Sequence, residues 1–479
     1  MEATITLLAM PEESASIPPQ RVPGWQRHLG PLCVVLVACA IGQIATLTQN
    51  TSIIQTADTP SYLHVAAGIA HNGLIFDPIR TPGYPALLAL IFAIAGKNNM
   101  VAVVAVQSAL MVASSLQLYS ITTRLLAHRW LASAVASMLA LNLYLINWER
   151  MIGTETLSLW TVITLFGIFL RYIATGRARW MVAFALWSVV VVLTRPFFVY
   201  LPLLLLALLF VRHLRLGIFR RSWWQFAVGV ALAYGLIVGY MAGNAAICGY
   251  FGLSDVGSVN LFGKVLEYHM QGESTDPHTA ALRRDLTAYL HQSHDPWGFP
   301  YHYPAYSKAN YAPLDRFSHA IIVQHLPEFA VKTLPDLAQT LNAYPFNYAP
   351  FLAPAPPWIV MLLNMSYAEL GMYALLPILL VWRIIAFCRD PASLPRTLSL
   401  ALALAVAGTV LMAASGSYAT TVGNANFGDF YRLRAPMDWA MILLLCEAAL
   451  SIGAASRLGQ QASPFHAHET AIADDVSAE

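Results

Sequence analysis

Residues 180–211 read WMVAFALWSVVVVLTRPFFVYLPLLLLALLFV, and Arg195 is the only charged residue among them. A run of about 17–25 apolar residues is long enough for one helix to cross a lipid bilayer. The pair Arg195-Pro196 interrupts this stretch and leaves one such run on each side. Residues 180–211 therefore predict two membrane-spanning helices in succession.

The rest of the chain has the same character. Of its 479 residues, 57% are hydrophobic and 11% are charged, whereas a soluble protein carries roughly 25% charged residues. A net charge of +2 spread over this length excludes a nucleic-acid-binding protein, which needs a strongly basic surface. We predict an all-α polytopic membrane protein with about ten transmembrane helices and further juxtamembrane helices on the outer face. The ten runs begin near Gly30, Met100, Trp130, Gly153, Trp180, Phe197, Trp224, Trp358, Thr397 and Pro436.

The positions of the arginines predict which ends of these helices face the cytoplasm. If the short apolar run Tyr84–Gly96 stays outside the membrane and the N-terminus is inside, the arginine clusters fall in the inner loops, as the positive-inside rule requires. This topology leaves two outer segments, 48–83 and 244–357. We expect cytoplasmic tails at 1–28 and 457–479, a transmembrane core at 29–243 that includes the outer loop 48–83, a small mixed extracytoplasmic module at 244–357, and C-terminal transmembrane helices at 358–456.

An outer loop holds the first candidate site residues. Asp58 precedes Pro60 and could simply cap the helix that follows. However, Arg80 comes later in the same short loop, at the mouth of a helix bundle. A carboxylate and an arginine in that position suggest an active site more than a linker.

Glu155 and Arg195 are candidates for a different reason. Glu155 lies about one turn inside an otherwise apolar helix, where an unpaired carboxylate would cost several kcal/mol. A structural ion pair with Arg150 or Arg195 is one interpretation, and a functional cavity is the other. Arg195 could reach the membrane interface, or it could bind a phosphate with its forked donors.

Two arginines precede the last predicted helix. Arg432 and Arg434 lie in the sequence DFYRLRAP, residues 429–436, on the outer side in the predicted topology. They are an exception to the positive-inside rule, which suggests an anionic ligand. A salt bridge to Asp429 is the plain alternative.

The order of these motifs resembles a known family. Asp58 and Tyr62 are followed by the motifs at 80–85, 153–157, 194–196 and 432–436, which read RTPGYP, GTETL, TRP and RLRAP. This order is similar to that of the GT-C superfamily of integral-membrane glycosyltransferases, especially the bacterial relatives of protein O-mannosyltransferases and lipid A aminoarabinose transferase. Two details depart from the family: Thr59 follows Asp58 where a second acid is common, and Leu433 replaces an aromatic residue.

The resemblance implies a function and a set of roles. It implies an enzyme of the inner (plasma) membrane that moves a sugar from a polyprenyl-phosphate carrier to a lipid, glycan or protein acceptor on the extracytoplasmic face, with inversion. Asp58 would be the catalytic base. We expect no required metal or other cofactor. The residues expected to bind the donor phosphate or the substrate are Tyr62, Arg80, Tyr84, Glu155, Arg195, Arg432 and Arg434.

Two other functions stay open at this point. An O-antigen ligase or polymerase would have its catalytic residues in the long outer segment, where His291 is one candidate. A membrane transporter would have internal repeats and polar residues near the middle of the membrane. The sequence shows no such repeat, and its unusual charges lie at one face.

Overall fold

The computed structural model describes residues 26–49, 53–56, 58–273, 276–293, 298–306, 311–341, 372–416, 419–422, 425–428 and 430–461. Most of the two predicted tails and Asp429 lie outside these residues. The longer helices of the first half are α1 (Gln26–Gln49), α2 (Thr59–Asn72), α3 (Gly83–Ala95), α4 (Met100–Leu126), α5 (Arg129–Ala140), α6 (Leu143–Arg150), α7 (Glu155–Thr175), α8 (Ala178–Thr194), α9 (Tyr200–Arg215) and α10 (Phe219–Cys248).

The second half of the chain is also mainly helical. Two short antiparallel strands, β1 (Ala419–Val422) and β2 (Ala425–Gly428), pair with Ala419 opposite Gly428. The helices are α11 (Val256–Glu267), α12 (Ala280–Leu290), α13 (Gly298–His302), α14 (Ala312–Gln324), α15 (Leu326–Leu341), α16 (Leu376–Arg389), α17 (Leu394–Gly416), α18 (Phe430–Arg434) and α19 (Asp438–Gln461).

Seven helical stretches within the described residues are long and apolar enough to cross a membrane. This confirms a polytopic helical membrane protein, but it does not confirm the predicted count of about ten. The predicted span that begins near Trp358 lies mostly outside the described residues. The seven stretches are Gln26–Ile44, Met100–Leu126, Glu155–Thr175, Pro196–Arg215, Ser222–Cys248, Leu394–Gly416 and Arg432–Gly453.

Three apolar runs form shorter helices. The predicted third span is divided into α5 and α6, because Asn142 lies between them and its Oδ1 accepts a hydrogen bond from the Leu145 amide at 3.3 Å, at the start of α6. Helix α8 has 17 residues, at the lower limit for a span. Helix α3 has 13 residues, as the sequence predicted for this short apolar run.

One large core joins most of the membrane helices from α4 onwards, and α1 packs in a separate, smaller cluster. Phe166, Phe169, Leu205 and Leu443, from α7, α9 and α19, are fully buried in the large core. Many apolar side chains on the outer surfaces of the same helices are exposed; Leu203 is 57% accessible. An apolar exterior around a packed interior is what a lipid environment allows, because lipid tails are as apolar as leucine.

The helices between α10 and α16 have a separate core. Phe262, Phe299 and Phe317 are fully buried there, together with Tyr289 of α12. Helix α12 confirms the helix predicted at 282–290. The predicted extended loop at 297–313 is wrong where it is described, because α13 and a short 3-10 turn at Pro304–Tyr306 occupy part of it. Helices α11 and α15 pack against α17 and connect this core to the membrane helices.

Candidate functional site

Asp58 occupies the first position before α2, yet its side chain does not cap that helix. Its backbone carbonyl accepts from the Ser61 and Tyr62 amides, while its carboxylate contacts two arginines. Oδ1 lies 2.5 Å from Nη2 of Arg80, and Oδ2 lies 3.0 Å from Nη2 of Arg432. The simple capping role that the sequence left open is therefore wrong, and the carboxylate is paired with two guanidiniums instead.

Arg80 is fixed by the loop on which it lies. Oδ1 of Asp77 accepts from the backbone amides of Ile79 and Arg80, at 2.8 and 2.7 Å, and shapes the turn. The guanidinium donates from Nε to Ser61 Oγ at 2.8 Å, and its central carbon lies 4.5 Å from the ring centre of Tyr62. A cation over an aromatic face is attracted by the ring quadrupole, so the side chain is held on two sides beside Asp58.

The segment that follows α10 is hydrogen-bonded to the same loop. Ser254 Oγ donates to the Ile79 carbonyl at 2.6 Å, and the Asp255 amide donates to the Pro78 carbonyl at 2.7 Å. These bonds satisfy backbone carbonyls that lie next to Arg80. Ser254 and Asp255 thus help to position Arg80, a role that the sequence did not suggest.

Glu155 is the second carboxylate of the site. It is the first residue of α7 and is fully buried. Its Oε1 lies 2.5 Å from Nε of Arg432 and 3.8 Å from Nη2 of Arg195. A Cβ on Gly153 would lie 2.4 Å from Oε2 of Glu155, so glycine at that position leaves room for the carboxylate. Of the two ion-pair partners of Glu155 that the sequence suggested, Arg150 and Arg195, the structure places Arg195 beside the carboxylate. Arg432 is a further partner that was not considered.

Backbone pairing brings Asp58 and Glu155 together. Ile54 forms a parallel bridge with Met151: its amide donates to the Arg150 carbonyl at 2.9 Å, and its carbonyl accepts from the Ile152 amide at 3.0 Å. Thr59 Oγ1 donates to the Ile152 carbonyl at 3.0 Å. The start of the first loop therefore lies along the turn that precedes α7.

Gln107 supports the same turn from the membrane side. This buried residue of α4 donates from Nε2 to the carbonyls of Glu149 and Met151, at 2.6 and 3.0 Å. Its Oε1 accepts from the Tyr84 hydroxyl at 2.8 Å. Gln107 was not among the residues predicted from the sequence, although a glutamine inside an apolar helix is a signal that could have identified it.

The remaining predicted residues differ in position. Tyr62 and Tyr84 pack edge to face, with ring centres 5.3 Å apart, and Tyr84 is fully buried behind Tyr62. Arg434 is also fully buried but lies in another set of contacts. It donates to the Thr340 carbonyl at 2.7 Å, and its Nε lies 3.3 Å from Oδ1 of Asp438. The structure thus brings Tyr62 to the arginines and does not bring Arg434 to Asp58.

We call the set Asp58, Arg80, Glu155, Arg195 and Arg432 the candidate site. Its two carboxylates and three guanidiniums leave one formal positive charge. The side chains of Asp58 and Arg432 are 30% and 24% accessible, whereas that of Glu155 is 1% accessible. The site has a buried floor at Glu155 and an accessible edge at Asp58.

The charges act on the ionisation of Asp58. Burial alone would raise the pKa of its carboxyl group, but the guanidiniums of Arg80 and Arg432 outweigh burial and lower the pKa below its ordinary value. Asp58 is therefore ionised at neutral pH. Within the described residues, no cluster of three or more histidine, cysteine, aspartate or glutamate side chains is arranged to hold a metal ion.

Comparisons with known proteins give a match to one family and matches to solved structures. Residues 79–240, about a third of the chain, match the family described as dolichyl-phosphate-mannose-protein mannosyltransferase. This part contains Arg80, Glu155 and Arg195. A comparison with curated proteins finds no match.

Two of the matching structures are crystal structures of the Archaeoglobus fulgidus oligosaccharyltransferase. The apo form has 12% sequence identity and a TM-score of 0.45, over 94% of this chain and 53% of that one. The form tethered to an acceptor peptide with the NVT sequon has 12% identity and a TM-score of 0.42, over 90% and 50%. This chain spans about half the length of these structures. The family match over residues 79–240 confirms the resemblance to the GT-C superfamily of integral-membrane glycosyltransferases that the sequence motifs indicated.

Proposed function

We propose that this protein transfers a sugar from a polyprenyl-phosphate carrier to an acceptor hydroxyl group, with Asp58 as the general base. The observation that carries the proposal is the contact of an accessible, ionised carboxylate with two guanidiniums, in a site with a net positive charge. A carboxylate can accept the acceptor's proton, and guanidiniums can bind a phosphate in the same small volume.

The reaction balances with these groups. The acceptor oxygen loses its proton to an oxygen of Asp58 and attacks the anomeric carbon of the sugar. The bond from that carbon to the phosphate oxygen breaks, and the carrier leaves as a lipid phosphate with one more negative charge. Arg80 and Arg432 stabilise this charge, because fixed donors in a site shielded from water act more strongly than they do in solution. Attack opposite the leaving phosphate inverts the configuration of the sugar.

Donor binding also makes Asp58 a better base. Arg80 and Arg432 lower the pKa of Asp58 by direct contact, and a carboxyl group with a low pKa accepts a proton weakly. The donor phosphate offers the same guanidiniums another anion. As their contacts shift to the phosphate, the pKa of Asp58 rises towards the operating pH, so the base becomes effective when the donor is in place.

The arginines at the far ends of two helices support the extracytoplasmic side of an inner (plasma) membrane for this site. Helices α4 and α7 both run from the site end towards ends that carry Arg124 and Arg171. The positive-inside rule assigns arginine-rich ends to the cytoplasm. A carrier with a long lipid tail also remains in the membrane, so the donor reaches the site from the bilayer and the acceptor reaches it from outside.

The test is sugar transfer by purified protein in lipid vesicles that contain a radiolabelled sugar-phosphate-polyprenol donor. Asp58→Asn keeps the shape of the side chain but removes the base, and we expect transfer to fall by about 10²–10⁴-fold. Asp276→Asn is the matched control, because its side chain caps a short turn of the outer segment and an asparagine oxygen can do the same.

His291→Ala distinguishes the ligase interpretation. His291 lies at the end of α12, which is far from the candidate site along the chain. We expect the transfer rate of the His291→Ala variant to equal that of the wild type. Wild-type transfer by Asp58→Asn, together with loss of transfer in His291→Ala, would overturn the proposal and favour a site in the long outer segment.

A further inference from the structure

A cavity with both polar and apolar walls lies between α4 and α7, at the ends of these helices that are farthest from Asp58. Its volume is about 160 Å³, and we call it the arginine groove. Its polar lining residues are Gln117, Ser120, Arg124, Thr164 and Arg171, and the rest of its wall is formed by Gly167 and by isoleucine and leucine side chains of the same two helices.

The groove is far from the candidate site. Gln107 and Glu155 mark the site end of α4 and α7. Arg124 follows Gln107 by roughly 26 Å along α4, and Arg171 follows Glu155 by roughly 24 Å along α7, at 1.5 Å per residue. These lengths approach the hydrocarbon thickness of a bilayer, about 30 Å. The mouth of the groove therefore lies near the opposite membrane surface.

Its polar groups suit an anion. Thr164 Oγ1 donates to Gln117 Oε1 at 2.9 Å, which fixes two polar side chains inside the groove. Arg124 and Arg171 are exposed at its mouth, and the guanidinium carbon of Arg171 lies 4.8 Å from the ring centre of Trp180. The stacking holds one guanidinium in place without neutralising its charge.

No carboxylate in the described part of the chain pairs with either arginine. Residues 78–148 and 156–254 contain neither aspartate nor glutamate. Asp390 and Glu447, which lie towards this end, already pair with Arg396 and Arg383. The charge of the groove is thus left for a ligand.

We propose that the arginine groove binds the phosphate of an anionic phospholipid headgroup. Two guanidiniums offer forked donors that match phosphate oxygens, and basic pockets between transmembrane helices near a membrane surface are suited to anionic headgroups. A lipid is favoured over free phosphate because the groove opens between two membrane helices, where the acyl chains can lie along apolar side chains. This site is independent of the proposed transfer reaction.

The test uses the full-length protein in detergent, with phosphatidylglycerol, phosphatidylcholine or inorganic phosphate added separately. Native mass spectrometry measures bound lipid, and the thermal unfolding midpoint measures stabilisation. We expect phosphatidylglycerol to remain bound and raise the midpoint, and the other two probes to do neither. The double variant Arg124→Gln/Arg171→Gln should bind phosphatidylglycerol at least tenfold more weakly.

The matched control is Arg177→Gln/Arg220→Gln, which removes two exposed arginines from the same end of the molecule without changing the groove. We expect it to retain phosphatidylglycerol like the wild type.

If the Arg124→Gln/Arg171→Gln variant does not fold, Arg124→Lys/Arg171→Lys replaces it. Weaker lipid binding by this lysine variant, whose charge is unchanged, still supports a contact between forked guanidinium donors and the phosphate. Equal retention by the groove and control variants would overturn the proposal, and so would equal binding of phosphatidylcholine. Displacement of the lipid by millimolar inorganic phosphate would show that the site recognises the free ion instead.

Discussion

At the scale of single residues, two arginines in one short helix have different environments. Arg432 is partly accessible and contacts Asp58 and Glu155. Arg434 is fully buried against Asp438 and the Thr340 carbonyl. Residues two positions apart on a helix point to different sides, so only one of the pair can face the candidate site. The sequence predicted both as ligands of the donor; we now propose Arg432 alone.

The same lysine substitution should therefore have different effects at the two positions. Arg432→Lys cannot reproduce the forked contact, and we expect the donor KM to rise roughly tenfold, the equivalent of one charge-assisted hydrogen bond of about 1.5 kcal/mol. Arg434→Lys should leave the KM unchanged and lower the free energy of unfolding by about 1–3 kcal/mol, because buried carbonyls lose their donor. Transfer kinetics and thermal unfolding check both. An unchanged KM in Arg432→Lys would remove this residue from the donor site.

Asp255 offers a test of pH dependence in the segment that holds the Arg80 loop. It is buried and lies outside the membrane-spanning helices. Burial, together with the charges of Asp77 and Asp315, raises its pKa to about 7. The folded state therefore keeps a proton that the unfolded state releases, and the stability of the protein falls as the pH rises from about 4 to about 7.

Asp255→Asn removes this penalty. We expect the variant to match the wild type near pH 4 and to exceed its stability at pH 8 by about 1–2 kcal/mol, a part of the full value of such a shift. Thermal unfolding midpoints in detergent at the two pH values measure the difference. Asp276→Asn, in the same outer segment, is the control and should show no such pH-dependent gain. A variant less stable than the wild type at pH 8 would contradict the prediction.

At the scale of elements, the contact between α3 and α8 sets the distance between two site arginines. A Cβ on Gly83 would lie 2.6 Å from the Leu193 carbonyl oxygen and from Cα of Thr194. Gly83 comes three residues after Arg80, and Thr194 directly precedes Arg195. Close approach at this glycine therefore places Arg80 and Arg195 on the same side of the bundle.

Gly83→Ala should separate these elements. We expect it to lower the free energy of unfolding by about 1–3 kcal/mol, as overpacking does, and to reduce transfer, because Arg80 moves relative to Arg195. Gly68→Ala is the control: it lies within α2, a Cβ there meets no atom within 4 Å, and alanine favours a helix by about 1 kcal/mol over glycine. Thermal unfolding and transfer assays compare the two. Equal stability and equal transfer in the two variants would show that the contact between α3 and α8 can accommodate the added methyl group.

At the scale of the whole molecule, the candidate site joins segments that are distant in the chain. The Arg432 and Asp58 side chains hydrogen-bond across 374 positions, and Arg432 and Glu155 across 277. One guanidinium thus links the first loop, the start of α7 and the entry to the last spanning helix. Loss of one buried partner of such a network leaves the other charges uncompensated.

A double-mutant cycle measures this link. Glu155→Gln alone should destabilise the protein by about 3 kcal/mol, because it removes the buried carboxylate that faces both Arg195 and Arg432 and leaves only Asp58 to offset the charge of Arg432. Glu155→Gln and Arg432→Gln together should show a coupling energy of at least about 1 kcal/mol. The exposed pair Asp390 and Arg396 is the control, with an expected coupling below about 0.5 kcal/mol. Equal coupling in both pairs would show that the network does not stabilise the fold.

Much of this protein could be predicted from local sequence. Long apolar runs predict membrane helices wherever they occur, because the bilayer requires each run to satisfy its own backbone hydrogen bonds. For the same reason, a charged residue near such a run is conspicuous, and Asp58, Arg80, Glu155, Arg195 and Arg432 could all be found in this way. The short helix α3 was predicted from the length of its apolar run together with the arginines of the neighbouring loops.

Other features depended on the tertiary structure. The break between α5 and α6 lies at Asn142, within a mainly apolar run, and it is one reason why the predicted number of spans was not confirmed. The choice of Arg432 over Arg434 depends on which side of a five-residue helix faces Asp58. The support from Gln107 and Ser254 comes from hydrogen bonds between distant segments. The sequence by itself determined which residues are costly to leave unpaired in a membrane, since that cost depends on the local surroundings of each residue. Only the packing of distant helices decided which partners these residues have, since an ion pair depends on distance in space.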